Sequence, residues 1–161
     1  MKNNIKIIKT NEDQLLDIMR FICDQFYPEI SENHPELEEI SEIDFDSLVN
    51  YFQKLNNFEI PNCIYAAYDG DKIVGVSSGK IDKHPWFVSS WGREHFWFVK
   101  KGYRKSKCGK ILFNKLMKWF KEHKAERIQM SHYSWNSGLS EFYKKNGFTP
   151  YETHYVLRKG D

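Results

Sequence analysis

Hydrophobic positions in the first third of the chain fall into two spacings. Ile5, Ile7 and Ile8 form a short β-rich run that predicts an opening strand. From Asn11, a residue type that caps helices, Leu15, Ile18, Met19, Ile22 and Phe26 recur on one helical face, and Pro28 is expected to end the pattern. The Glu-rich stretch from Glu29 to Ser41, with Pro35 inside it, reads as a loop. Phe45, Leu48, Val49, Phe52 and Leu55 then mark a second amphipathic helix, with Asp44 at its capping position.

After Pro61 the texture changes to short apolar runs. Cys63 to Tyr68 reads as a strand, Asp69-Gly70-Asp71 as a tight turn, and Ile73 onward as a second strand reaching about Ile81; an Asp-Gly between two such runs signals a hairpin. His84-Pro85 interrupts, and a strand from Ser90 leads into Val99. Ile111, Leu112, Leu116, Trp119 and Phe120 recur at helical spacing within a helix from Cys108 to about His123. Ile128 to His132 reads as a strand, Ser137 to Lys145 as a short helix stopped at Gly147, and Phe148 to Leu157 as a last strand. Hairpins early and helical crossovers late predict a mixed α/β layer fold. No repeat, low-complexity segment or linker divides the chain, so residues 1–161 are expected to form a single domain.

Composition adds few constraints. A hydrophobic fraction of 40% with 12 Phe, 9 Tyr and 5 Trp supports a packed core over disorder. No apolar run has the length of a membrane span, and Met1-Lys2-Asn3-Asn4 does not open a signal peptide. Cys23, Cys63 and Cys108 are odd in number and without a CxxC pair, which points to a reduced, cytoplasmic setting and to no metal site. Charge is distributed more tellingly than its net value of +2: Glu29 to Asp46 holds eight acidic residues and no Lys or Arg, whereas Lys100 to Arg127 holds eleven basic residues against Glu122 and Glu126. Such blocks are either solvated faces or a basic site for a polyanion beside an acidic rim for a cation.

The basic block sharpens around one turn. A strand ending at Phe96-Trp97-Phe98-Val99, a turn from Lys100 to Gly109 and the following helix make an anion site, because the first amides of a helix lack internal partners and sit at the positive end of its dipole. Arg104, Lys105, Lys107 and Lys110 add charge there, and the turn is expected to hold a pyrophosphate. Gly109 would let the backbone approach phosphate oxygens, while Lys107 requires an ordinary φ where a glycine would tolerate a positive one. Cys108, at a helix start among cations, is expected to have a lowered thiol pKa, yet no Cys-His spacing supports a covalent route.

Arg104-Lys105-Ser106-Lys107-Cys108-Gly109 resembles the Arg/Gln-x-x-Gly-x-Gly/Ala phosphate motif of the Gcn5-related N-acetyltransferases (GNAT), with Lys107 in place of the first Gly. Asn136, followed by Phe142-Tyr143-Lys144-Lys145-Asn146-Gly147-Phe148, is similar to a later signature of that superfamily, with Leu139 where Ala is usual. The hairpin from Ala66 to Val76 fits its second and third strands, so the likeness covers about Cys63 to Leu157. It implies a mixed, mostly antiparallel central sheet of six to seven strands with about four flanking helices. It also implies acetyl-CoA as co-substrate, without a metal, and direct acetyl transfer in a ternary complex to a primary amine of a small cationic molecule, a protein lysine or an N-terminus.

Site residues follow from the resemblance. Arg104 to Lys110 would take the pyrophosphate, backbone groups of Phe98 and Val99 would pair with the pantetheine arm, and Asn136 would hold its amide or else simply cap the next helix. Tyr143 would protonate the leaving thiolate, as a phenol with pKa near 10 can, or else be a buried Tyr bonded to backbone. Glu94 is favoured as the base that relieves the amine of its proton; His95 and His132 are the other candidates, and adjacent Glu94 and His95 must point to opposite faces of their strand. Family members often dimerise, for which the strand after Phe148 would serve. Two alternatives stand beside this reading. One is a basic nucleic-acid-binding module using Tyr103, Trp119, Tyr133 and Trp135; the other is a GNAT-like acyl-CoA-binding domain without transfer activity.

Overall fold

The computed structural model describes residues 5–35, 44–57, 60–83 and 85–155. The chain divides into two compact units, residues 1–130 and 131–161. In the first, β1 (Ile5–Lys9), β2 (Asn62–Asp69), β3 (Lys72–Lys83), β4 (Ser90–Val99) and β5 (Arg127–Gln129) form one sheet in that order. β1 to β4 are antiparallel and β5 lies parallel to β4. The β2–β3 turn forms at Asp69-Gly70, with Gly70 at φ +61°, a conformation that suits glycine.

Five strands among the described residues correct the expected six to seven. The expected strand from Ile128 to His132 contributes only its first two residues to β5. Phe148 to Tyr155 forms no strand: Pro150 lacks a donor, and the segment from Thr149 onward is exposed, with no apolar face to bury. Val156 and Leu157 lie outside the described residues.

Helices cover both faces of this sheet. α1 (Leu15–Phe21), a π-helical turn (Ile22–Phe26) and α2 (Tyr27–Asn33) make one uninterrupted helical run. Pro28 therefore does not end the helix, and Glu29 to Asn33 are helical rather than loop. The π turn closes with the Tyr27 amide on the Ile22 carbonyl, so Pro28 falls in a fresh first turn where its missing N–H costs little. The loop expectation for residues 36–41 lies outside the described residues. α3 (Phe45–Asn57) starts where Asp44 accepts from the Ser47 amide at 2.9 Å, as its capping position requires. Leu15, Ile18, Met19, Ile22, Val49, Phe52 and Leu55 pack with Ile64, Ala66, Val76, Phe96 and Phe98 on this face.

α4 (Cys108–Glu122) covers the other face with Leu112, Phe113, Leu116, Trp119 and Phe120. Ile111, which the spacing put inward, is 42% exposed, and Phe113 takes the buried place. Phe120 lies flat over two strands because two residues there lack side chains. A Cβ at Gly92 would sit 2.6 Å from its ring, and one at Gly79 would sit 2.5 Å away. Opposite the glycine pair's neighbourhood, β4 carries a bulge: Ser78 pairs with Phe96 and Gly79 with Glu94, leaving His95 as the extra residue.

The second unit contains α5 (Ser137–Lys145). Asn136 caps it, its side-chain oxygen accepting from the Leu139 amide at 3.2 Å. Gly147, at φ +86°, turns the chain out of the helix, and the Phe148 amide returns to the Tyr143 carbonyl at 3.1 Å.

The glycine clearance is testable. Gly92→Ala is expected to lower stability by about 1–3 kcal/mol through overpacking against the rigid base of the Phe120 ring. Gly102→Ala, whose added Cβ meets open space, should shift it by less than about 0.5 kcal/mol. Urea unfolding of both variants decides, and a neutral Gly92→Ala would count against this packing.

Candidate functional site

β4 ends by feeding a built turn. The Lys100 amide donates to the Val74 carbonyl at 2.9 Å, a 3-10 turn spans Lys101–Tyr103, and the Tyr103 hydroxyl donates to Asp69 at 2.8 Å, tying the turn to the β2–β3 hairpin. Ser106 donates to the Tyr103 carbonyl at 2.6 Å, and its oxygen accepts from the Cys108 amide at 3.2 Å. Beyond that bond, the amides of Gly109 and Lys110 open the helix without intrahelical partners. Lys107 adopts φ −75° and ψ −1°, so the turn does not demand a glycine there. Lys105, Lys107 and Lys110 are exposed around those amides.

Two residues of the turn are committed elsewhere. The Arg104 guanidinium donates through Nε to the Val99 carbonyl at 2.8 Å, pairs with Glu29 of α2, and lies 5.4 Å over the Phe98 ring. Lys101 pairs with Glu32 at 3.7 Å. Cys108 is 1% exposed, and burial pushes its thiol up to about 11, which reverses the lowered value expected of a helix start among cations. A buried thiol with a raised pKa is not poised as a nucleophile at neutral pH.

The edge of β4 provides the second component. Among the described residues, β5 pairs only with Trp91, Gly92 and Arg93, and no strand of the sheet pairs with β4 past Arg93. Since the Lys100 amide faces β3, the alternation of an antiparallel ladder turns the Phe98 backbone to β3 as well; Trp97 and Val99 turn theirs to the opposite edge, where the Val99 carbonyl accepts from Arg104 Nε. Of the two residues expected to present backbone groups, Val99 is therefore on that edge. Phe98 is not, and Trp97, which the sequence reading passed over, is.

Glu94 and His95 do point to opposite faces. Glu94 pairs with Gly79, whose missing side chain faces Phe120, so Glu94 lies on the α4 side. His95 lies on the α3 side, with Nδ1 3.2 Å from Ser78 Oγ and Nε2 3.1 Å from the Tyr51 hydroxyl, and its ring meets those of Tyr51 and Phe52 edge-on. Burial, reinforced by the charge of Lys80, lowers its pKa to about 4. Tyr51 and Ser78 were not read as site residues. The only signals in the sequence were an aromatic on the polar face of α3 and a Ser before the bulge glycine.

In the second unit, Tyr143 is 6% exposed and donates to the Ser131 carbonyl at 3.1 Å. His132 Nδ1 lies 2.9 Å from the Tyr133 carbonyl. Tyr133 and Trp135 stack on each other at 4.3 Å. Trp119 is buried and Tyr103 is bound to Asp69, so neither is laid out as a base-stacking platform. Among the described residues, no group of His, Cys, Asp and Glu is placed to hold a metal, and no helix is long and apolar enough to cross a membrane.

Two measurements check these environments. Thiol titration of the native protein near pH 8 should label Cys23 first, with Cys63 and Cys108 reacting only on unfolding; rapid labelling of Cys108 would contradict its burial. The folded pKa of His95 lies below its unfolded value of 6.5, so its contribution is fully present above about pH 6.5 and is lost as pH falls toward 4. Between about pH 7 and pH 4.5 the wild type should lose up to about 3 kcal/mol more stability than His95→Gln, and equal losses would show His95 to be solvated.

Comparison with known proteins places this geometry. A predicted acetyltransferase with acetyl-CoA from Clostridium acetobutylicum matches with TM-score 0.68 at 15% identity, over 96% of this chain and 96% of that one. Glucosamine-6-phosphate N-acetyltransferase from Arabidopsis thaliana matches with TM-score 0.66 at 16% identity, over 96% and 98%. An aminoglycoside acetyltransferase from an uncultured soil metagenomic sample matches with TM-score 0.67 at 18% identity, over 99% and 97%. A search of the curated proteins matched nothing. The model of the acetyltransferase (GNAT) family matches residues 17–148, and the chain belongs to that family.

Proposed function

We propose that this protein transfers an acetyl group from acetyl-CoA directly to a primary amine in a ternary complex. One observation carries the reading: the side of β4 that Trp97 and Val99 turn away from β3 runs straight into a helix start whose Gly109 and Lys110 amides are flanked by Lys105, Lys107 and Lys110. A strand edge matches an extended arm bearing amides, and cationic helix amides match a pyrophosphate. The arm and the diphosphate belong to one ligand, CoA. In this assignment Ser106 and Cys108 shape the turn, and Arg104 braces it through Glu29 and Val99.

The chemistry then needs an acid and a base. Tyr143 is assigned the acid, giving its hydroxyl proton to the thiolate as the C–S bond breaks. Asn136 is assigned to the pantetheine amide by its place in the motif, alongside its capping role. Glu94 is assigned the base, acting directly or through water. His95 is too weak a base with its pKa near 4. His132 has one nitrogen held near the Tyr133 carbonyl. The acceptor amine is assigned a cationic class, a polyamine, an aminoglycoside-like compound or a lysine side chain. Neighbouring folds named for aminoglycoside and glucosamine-6-phosphate acetylation are compatible with an amine acceptor.

Calorimetry and steady-state kinetics test this. Wild-type protein should bind acetyl-CoA, and Tyr143→Phe should bind it equally while kcat falls about 10²-fold or more. Wild-type protein that gives no heat with acetyl-CoA would end the assignment; an unchanged kcat in Tyr143→Phe would remove that residue as the acid.

A further inference from the structure

The connection between β3 and β4 carries an apolar tip. Trp86 is 84% exposed, Phe87 is 54% exposed, and Val88 lies wholly in solvent. Single exposed apolar residues are ordinary on a protein surface, but three in succession are not. Nothing in the hairpin requires them. β3 and β4 stay paired as far as Lys83 and Ser90, where a two-residue turn would close the ladder without displaying any of the three.

The tip stands on a hydrogen-bonded base. Trp91 Nε1 donates to Ser89 Oγ at 2.8 Å, and Ser90 Oγ donates to the Lys124 carbonyl at 2.9 Å. The Glu126 amide donates to the Ser90 carbonyl at 3.0 Å. These bonds tie the root of the loop to the chain leaving α4 and entering β5.

The same root gathers positive charge. Lys83 pairs with Ser90 across the hairpin, Arg127 pairs with Trp91, and the Lys124 amide donates to the Lys121 carbonyl at the end of α4. All four basic residues are exposed. Against them stands Glu126. Asp82 is paired with Lys80 at 3.1 Å and Arg93 at 3.3 Å, and Glu122 is paired with Lys118 at 3.6 Å. Among the described residues, the balance at this end of the sheet is therefore positive.

Area and charge decide what such a tip can meet. Three side chains of these sizes bury roughly 600 Å² at most, short of the about 800 Å² per partner of a stable protein interface. A second copy would also bring its own lysines against these. A bilayer needs no complementary shape: aromatic side chains settle at the headgroup level, and anionic headgroups attract the surrounding Lys and Arg. An apolar anchor beside a basic patch supplies the two signals that stable peripheral binding takes.

We infer that the β3–β4 tip docks this protein on a bilayer carrying anionic lipids. Trp86, Phe87 and Val88 enter the headgroup boundary, and Lys83, Lys124 and Arg127 rest against the phosphates. Val99 lies nine residues along β4 from Ser90, about 30 Å at the rise of a strand, so docking at the tip leaves the basic turn in water. This inference goes beyond the acetyl-transfer reading and does not depend on it.

Vesicle co-sedimentation of the full chain tests it. Wild-type protein should pellet with phosphatidylcholine vesicles containing about 30% phosphatidylglycerol, and about tenfold less with phosphatidylcholine alone. The double variant Trp86→Ser, Phe87→Ser should weaken binding to the anionic vesicles about tenfold or more, and Lys83→Gln and Lys124→Gln about fivefold each. All these positions are exposed, so the variants should keep the wild-type unfolding midpoint. Absence of pelleting with the anionic vesicles overturns the inference, as does equal pelleting with neutral and anionic ones. Equal pelleting of wild type and the double variant overturns it too, because charge alone would then hold the protein. A wild type that self-associates in vesicle-free solution, with the double variant monomeric, overturns it in favour of a second copy.

Discussion

A strand that loses its neighbour halfway along must satisfy its backbone by other means, and much of this molecule is arranged around that requirement. β5 accompanies β4 for only three residues, up to Arg93, and the bulge at His95 comes directly after. A bulge bends and twists its strand, which is a mechanical reason for the two strands to part there. Past that point no described strand pairs with β4 on the side away from β3, and the helix that follows starts where β4 and its turn end. The cofactor assignment depends on this departure more than on any single side chain.

Electrostatics in the turn shows a division of labour. Of its cations, Arg104 is drawn to Glu29 and the Val99 carbonyl and Lys101 to Glu32, while Lys105, Lys107 and Lys110 stay at the surface near the helix start. Two acidic residues that looked like part of a substrate-attracting rim thus anchor α2 to the turn. These pairs are at least partly exposed, so their value lies in positioning more than in stability. Because α2 holds Arg104, the helices on the α3 face of the sheet and the basic turn share a direct link.

Much of this was legible from residue order alone. The β2–β3 hairpin followed from Asp69-Gly70, the N-terminus of α3 from Asp44, and the end of α5 from Gly147, because each depends on local backbone chemistry. The helical run through Pro28 was not legible, since a π turn is a one-residue shift with no sequence mark. Cys108 misled for a related reason: its place at a helix start was visible, but its 1% exposure was set by α4 packing against β2, β3 and β4. The Tyr51–His95–Ser78 line was invisible because it joins three elements 44 and 17 residues apart, brought together by a bulge that only pairing reveals. Short-range chemistry could be read from the chain, and juxtaposition could not.

The two glycines beneath Phe120 have a consequence at the opposite end of α4. Twelve residues separate Phe120 from Cys108, a lever of about 18 Å at the rise of an α-helix. A tilt of only about 3° about the seated ring would swing the helix start by about 1 Å, a displacement on the scale that reacting groups seldom tolerate. Empty space at Gly79 and Gly92 thus acts as a bearing, fixing by sterics where the first amides of α4 come to rest.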